Sequence, residues 1–282
     1  MERIVIEARE RNNEKGVRVA ATIAQNVLLL TLASVVCGLG AADDVNQIVS
    51  RSVANNNANW KVAPQYGFKE RDVTTKSGRR TTRTYEVTMI DGSPYNKPIA
   101  INGKALSASE LKNEDAKEQR ERERRRAESP AQRRKRIDQF ERERRQDHAL
   151  MTEMIKAFQF KLAGKESVNG RECFRVDATP RPGYVPRSRD TKVLTGMRGT
   201  LWIDTEQYQW VRVTAAVFRP VAFGLFIAHV RPGTEFTLDE APVGRVWMPS
   251  HFVTRVKANV LVWSRDSTED ETYTDYYLIG KE

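Results

Sequence analysis

From residue 158 to residue 278 the chain is a succession of short alternating segments divided by turn residues, and that pattern prescribes an antiparallel sheet. Phe158, Phe160 and Leu162 alternate with polar residues, the two-residue period of a half-buried strand. Asn169-Gly170 then supplies a two-residue hairpin turn, because both residue types accept the positive φ that such turns need. Residues 173–178 form the return strand. After a proline-rich loop at 179–186, the strand 199–204 turns through 205–209 into 210–215. Further strands are expected at 224–230, 234–238, 246–257, 258–264 and 272–278.

The first half repeats the theme. Between 66 and 101, Thr84, Glu86 and Thr88 alternate with Tyr85, Val87 and Met89. Asp91-Gly92 and Asn102-Gly103 are turn pairs. A short helix is expected at 44–54, where Val45, Ile48, Val49 and Val53 keep helical spacing, with Asn55-Asn56-Asn57 ending it. The whole predicts an α+β domain, a curved antiparallel half-barrel of about ten strands with helices over its concave face.

One segment breaks the pattern. Ser107 to Glu110 is a capping box and opens a charged helix to about residue 128. Ser129-Pro130-Ala131-Gln132 is a second start signal, with Ser as cap and Pro at the first helical position. The second helix runs to about residue 157. Its first half has only Ile137 and Phe140 as apolar residues between 133 and 145, whereas Leu150, Met151, Met154, Ile155 and Phe158 give its end a core-facing side. Residues 107–157 therefore read as an inserted, charged helical hairpin, docked at its end and solvated in its middle.

The start of the chain is of another kind. Val27 to Leu39 is an uncharged apolar run, followed by the small residues Gly40-Ala41-Ala42 and then Asp43-Asp44. That is the three-part pattern of a secretory signal peptide. It predicts a leader over 1–42 and a mature domain over 43–282, with cleavage after Ala41 or Ala42. The run is shorter than the roughly 20 residues a spanning helix needs; adding 20–26 would make it an uncleaved membrane anchor, which stays open as the alternative. The acidic residues Glu2, Glu7, Glu10 and Glu14 are unusual before a leader core, and place the expected start nearer Val17 or Val19. Val36 precedes Cys37 where a lipid-modified cysteine would have Gly, Ala or Ser, so a soluble mature protein is expected. Cys173, the other cysteine, is expected as a buried strand residue.

Catalytic and metal patterns are sparse. His148, His229 and His251 stand far apart, without the spacing of a zinc site. Asp147-His148 reads as part of a solvated helix face. There is no nucleophile elbow, P-loop or dinucleotide fingerprint. No enzyme, metal or cofactor is expected, although paired carboxylates of a hydrolase meet only in the fold. The net charge of +10 favours anionic partners. Arg124, Arg125, Arg126, Arg133, Arg134 and Arg136 are candidates for contact with anionic headgroups or a membrane surface. Interleaved glutamates at helical pairing distance offer self-pairing instead. With no aromatics to stack bases, nucleic acid is not expected. The large apolar residues Trp202, Trp210, Phe223, Phe226, Trp247 and Trp263 read either as sheet core or as the wall of an apolar ligand cavity.

Val168-Asn169-Gly170-Arg171 before a strand, Gly199-Thr200-Leu201-Trp202-Ile203-Asp204 followed by Trp210-Val211-Arg212-Val213, and Val246-Trp247-Met248-Pro249-Ser250 together resemble the periplasmic lipoprotein-carrier superfamily of LolA and LolB type and its lipoprotein-sorting relatives. The resemblance covers roughly 44–278 in pattern and far less in residues. The charged hairpin and the 179–186 loop depart from it. It implies a half-open barrel whose cavity shelters the acyl chains of a lipid or lipoprotein, in the periplasm of a Gram-negative-type bacterium. The rivals are a scaffolding envelope protein with a plugged cavity and a hydrolase of envelope material. The residues fix neither the ligand nor the oligomeric state.

Overall fold

A computed structural model describes residues 44–76, 78–188, 190–223, 228–260 and 263–280. The expected leader, with Cys37, lies outside these residues. The chain runs α1 (Val45–Val62), β1 (Tyr66–Lys76), β2 (Arg79–Ile90), β3 (Ser93–Ile101), β4 (Lys104–Ala105), α2 (Ala108–Arg126), α3 (Pro130–Ala157), β5 (Phe158–Val168), β6 (Arg171–Pro180), β7 (Met197–Asp204), β8 (Trp210–Val217), β9 (Val221–Phe223), β10 (Ala228–Val230), β11 (Glu235–Val243), β12 (Val246–Val260) and β13 (Trp263–Leu278). Among the described residues the strands form one sheet in the order β4-β3-β2-β1-β13-β12-β11-β8-β7-β6-β5, with β9 and β10 branching from β12. Neighbours pair antiparallel, and the two edges do not meet. The α+β half-barrel expected from the sequence is the observed architecture.

The turns form where the sequence placed them. Asp91, Asn102 and Asn169 have φ of 47°, 51° and 51°, each followed by a glycine at positive φ. Both helix starts of the charged segment are also as expected: Ser107 and Ser129 accept from the backbone N–H of Glu110 and Gln132, and both capping boxes close.

The core is a row of side chains crossing the concave face. Following register from β5, it reads Leu162, Val176, Leu201, Val213, Leu238 and Phe252. Ile48, Val49 and Val53 of α1 pack onto this row in the same buried cluster. Gly199 belongs to the sheet beside it, and its place is sterically fixed: a Cβ there would stand 2.4 Å from the Thr214 carbonyl oxygen. Gly199→Ala is expected to cost about 1–3 kcal/mol, read as a lower urea midpoint at unchanged slope.

Two elements differ from expectation. Helix α1 continues through the three asparagines to Val62, because their amides are spent on tertiary bonds: Asn55 donates to the Gln207 carbonyl at 2.7 Å and Asn56 to Glu240 at 3.1 Å. Residues 190–196, for which no element was expected, form a 3₁₀ helix. The strands expected at 258–264 and 272–278 are parts of one long hairpin, β12–β13. The stretch of β13 between those two segments was not expected as strand, because its inward residues Glu269 and Glu271 are polar and hide the apolar alternation of a half-buried strand.

Candidate ligand-binding cleft

The concave face is not filled everywhere. Between strands β1–β3 and β11–β13 on one side and the helices on the other lies a cleft of about 630 Å³. Phe68, Tyr85, Val87, Leu238, Phe252 and Tyr273 supply its floor, Trp60 its α1 wall, and Gln139, Phe140 and Arg144 part of its α3 roof. The floor residues share one side of the sheet by the two-residue strand period. Phe68 faces Val87 directly across β1 and β2, so they expose one contiguous apolar surface.

Arginines hold the roof in place. Arg125, 6% exposed, donates from Nη1 to the Ile90 carbonyl at 2.7 Å, the Ser93 carbonyl at 2.8 Å and Ser93 Oγ at 2.9 Å. Its Nη2 reaches the Pro94 carbonyl at 3.1 Å, and its Nε pairs with Glu121. Arg136 donates to Ser93 Oγ at 2.7 Å, to the Asp91 carbonyl at 3.1 Å and to Glu128 at 2.6 Å. The end of α2 and the start of α3 are thus clamped onto the β2–β3 turn, where a solvated stretch was expected. Two arginines beside paired glutamates look alike in sequence whether they face water or carbonyl oxygens.

The remaining candidate arginines are placed as follows. Arg124 pairs with Glu121 at 2.6 Å, and Arg133 with Asp91 at 3.2 Å. Arg126 and Arg134 are exposed. Of the six, Arg125 and Arg136 meet at Ser93 Oγ.

Of the apolar candidates, Trp202, Trp210 and Trp247 do not line the cleft. Trp210 is buried under α1, its indole donating to Ser52 Oγ at 3.1 Å. Trp202 and Trp247 join Cys173 and Val211 in a second, smaller cluster, and Trp202 donates to Glu166. The backbones of Phe223 and Trp263 belong to β9 and β13, whereas Phe226 lies outside the described residues. Cys173 is fully buried, as expected, and burial pushes its thiol up to about 11. The tryptophans are the obvious apolar signal, but the cleft is built from the alternating residues of β1 and β2, where tyrosine and valine give a weaker one.

His148 also departs from the solvated face expected of it. It is buried and stacked on Trp60, with ring centroids 4.6 Å apart and planes 7° from parallel. The Arg144 guanidinium lies 4.0 Å from the same indole centroid. Burial, and secondarily Arg144, hold the imidazole down to about 3, so it is neutral at pH 7.

Next to the cleft floor the concave face turns acidic. Past Phe252, the core row continues as Glu271 on β13, Asp72 on β1 and Arg83 on β2. The adjacent row is Tyr85, Glu70, Tyr273. Burial raises Glu70 to about 8, with Glu271 and Asp72 adding repulsion, and raises Glu271 to about 7. The Tyr273 hydroxyl donates to Glu271. At the other end of the floor, burial raises Glu240 to about 8. Among the described residues no three His, Cys, Asp or Glu side chains are grouped to hold a metal.

No family model matches the sequence, and no curated protein matches it. Solved structures do. The chain is similar to a DUF1329 family protein from Desulfovibrio piger, at 11% identity and a TM-score of 0.38, over 86% of this chain and 95% of that one. It is similar to a LolA superfamily protein from Nitrosomonas europaea at 10% identity and a TM-score of 0.30, over 86% and 96%. A third is an outer membrane lipoprotein-sorting protein domain from Vibrio parahaemolyticus, at 10% identity and 0.32, over 80% and 92%. These include the groups that the sequence pattern resembles.

Proposed function

We propose that this protein is an exported, non-catalytic carrier that shelters the acyl part of a lipid or acylated partner in the cleft. The observation that carries the reading is an aromatic and aliphatic cleft of about 630 Å³. That volume falls within the roughly 300–1,000 Å³ of small-molecule sites and argues against a cavity plugged by the protein's own side chains. Apolar contact there gains about 25 cal/mol for each Å² removed from water. In this reading the charged hairpin 107–157 is a lid inserted into the half-barrel, clamped by Arg125 and Arg136. The leader 1–42 delivers the domain 43–282 to the periplasm. The exposed Arg126 and Arg134 are the side chains left to meet an anionic membrane surface.

Mass spectrometry of organic extracts tests it. Protein purified without detergent is expected to carry a long-chain lipid. Val87→Trp, which thrusts an indole into the cleft, is expected to lower the recovered lipid more than tenfold while the melting temperature stays within a few degrees. Equal lipid recovery from the variant, or none from the parent protein, would reject the carrier.

A further inference from the structure

The concave face is divided in two. From Leu162 to Phe252 the central row is apolar across β5, β6, β7, β8, β11 and β12. Across β13, β1 and β2 the same row is Glu271, Asp72 and Arg83. Its neighbour on one side places Glu269 opposite Thr74, and on the other Glu70 between Tyr273 and Tyr85. Glu70, Asp72 and Glu271 are each under 10% exposed. Four carboxyls therefore line the inner surface of the β13–β1 pair. The cations that act on them are Arg83, whose Nη1 also reaches the Tyr85 hydroxyl at 3.4 Å, and Lys76 near Glu269.

The acidic strip borders the cleft. Glu70 is the next inward residue after Phe68, and its cross-strand neighbours Tyr85 and Tyr273 both line the cleft. Such neighbours stand about 5 Å apart. Glu70 is 4% exposed, and its Oε2 has no hydrogen-bond partner among the described residues. A buried carboxyl oxygen left unmatched is unfavourable, so a group that supplies a donor there is favoured. A positively charged donor does more, because it also relieves the repulsion that Asp72 and Glu271 exert on Glu70. The rings of Tyr85 and Tyr273 on either side of Glu70 favour a cation as well.

We propose that the ligand is an amphiphile bearing an alkylammonium group, which pairs with Glu70 in the acidic strip while its apolar chain lies in the cleft. This deepens the carrier reading and rests on it. Glu70 holds its proton at pH 7 and gives it up to the buffer as the ammonium arrives, leaving a carboxylate paired with the cation.

Calorimetric titration with dodecylamine, dodecanol and dodecanoate, each below its micellar concentration, tests the proposal on the parent protein, on E70Q and on E271Q. Dodecylamine is expected to bind at least tenfold more tightly than dodecanol, with dodecanoate weakest. Its heat should vary with the ionisation enthalpy of the buffer, as proton release demands. E70Q is isosteric with the protonated acid; in it the advantage of the amine should shrink to within twofold while dodecanol binds as before. E271Q should reduce the advantage in part. Dodecanol binding as tightly as the amine to the parent protein would overturn the ammonium assignment and leave the cleft standing. The amine keeping its advantage in E70Q would overturn it too. Binding of none of the three would remove the carrier reading and this inference together.

Discussion

Between pH 6.5 and pH 8 the unfolding free energy is expected to fall by about 3–4 kcal/mol, since one pH unit is worth about 1.4 kcal/mol for each group that stays protonated only in the folded state. The groups are Glu70 and Glu240, each raised to about 8 by burial, and Glu271, raised to about 7. The unfolded chain gives up these protons near pH 4.3, whereas the folded chain keeps them up to its own higher values. Their contribution is therefore complete below about pH 4 and is lost as pH rises through 7 and 8. His148 acts in the opposite sense and over a lower window. Its folded value is held down to about 3, so its contribution is lost as pH falls below about 6.5, the unfolded value. Above pH 6.5 the carboxyls act without it. Urea unfolding followed by tryptophan fluorescence at half-unit intervals measures the slope, and a flat or rising profile over that window would contradict the buried acids. E240Q should flatten the profile by the share of one group.

Arg125→Ala is expected to destabilise the protein by about 3–5 kcal/mol, the usual cost of removing one partner from a buried charged cluster. The arginine satisfies the carbonyls of Ile90, Ser93 and Pro94 and the Ser93 hydroxyl while its Nε pairs with Glu121. Alanine would leave the three carbonyl oxygens to find water or go unmatched, whereas Ser93 Oγ keeps Arg136 and Glu121 keeps Arg124. The loss should be local first. Hydrogen exchange in α2 and the first half of α3 should rise before any change in β6 to β8. Arg125→Lys should recover only part of the stability, because an ammonium cannot span carbonyls on both sides of the turn as a planar guanidinium does. A denaturation midpoint equal to the parent's would show that the clamp is not a clamp.

Much of the frame is legible in the sequence for a local reason. Asp91-Gly92, Asn102-Gly103 and Asn169-Gly170 each fix a hairpin with two residues, and Ser107 and Ser129 each start a helix within four. What was illegible is whatever depends on a partner far along the chain. The asparagines of α1 resemble a helix stop until Gln207 and Glu240 are seen receiving their amides. Arg125 resembles a solvated charge until Ile90 and Ser93 are seen beneath it. Glu70, Asp72 and Glu271 resemble surface positions of ordinary strands, and their burial comes from curvature, which alternation does not encode. The tryptophans drew attention by size. Trp210 serves packing under α1, and the cleft floor is left to Phe68, Tyr85 and Val87.

The pairing of β1 with β13 joins Tyr66 to Leu278 and Lys76 to Ser267, so the strand made early in synthesis finds one of its two neighbours only when the last strand exists. Contacts of such long sequence separation form slowly. Until then β1 has β2 alone, and a lone hairpin is at best marginally stable in water. The acidic strip shares this schedule, since Glu70 and Asp72 gain Glu271 and Tyr273 as neighbours in that same closing step. A chain released before its final strand would lack both the floor of the cleft and the seam that holds it. Its C-terminal hairpin acts as the fastener of the whole half-barrel, and trimming it should yield an unfastened chain in place of a smaller carrier.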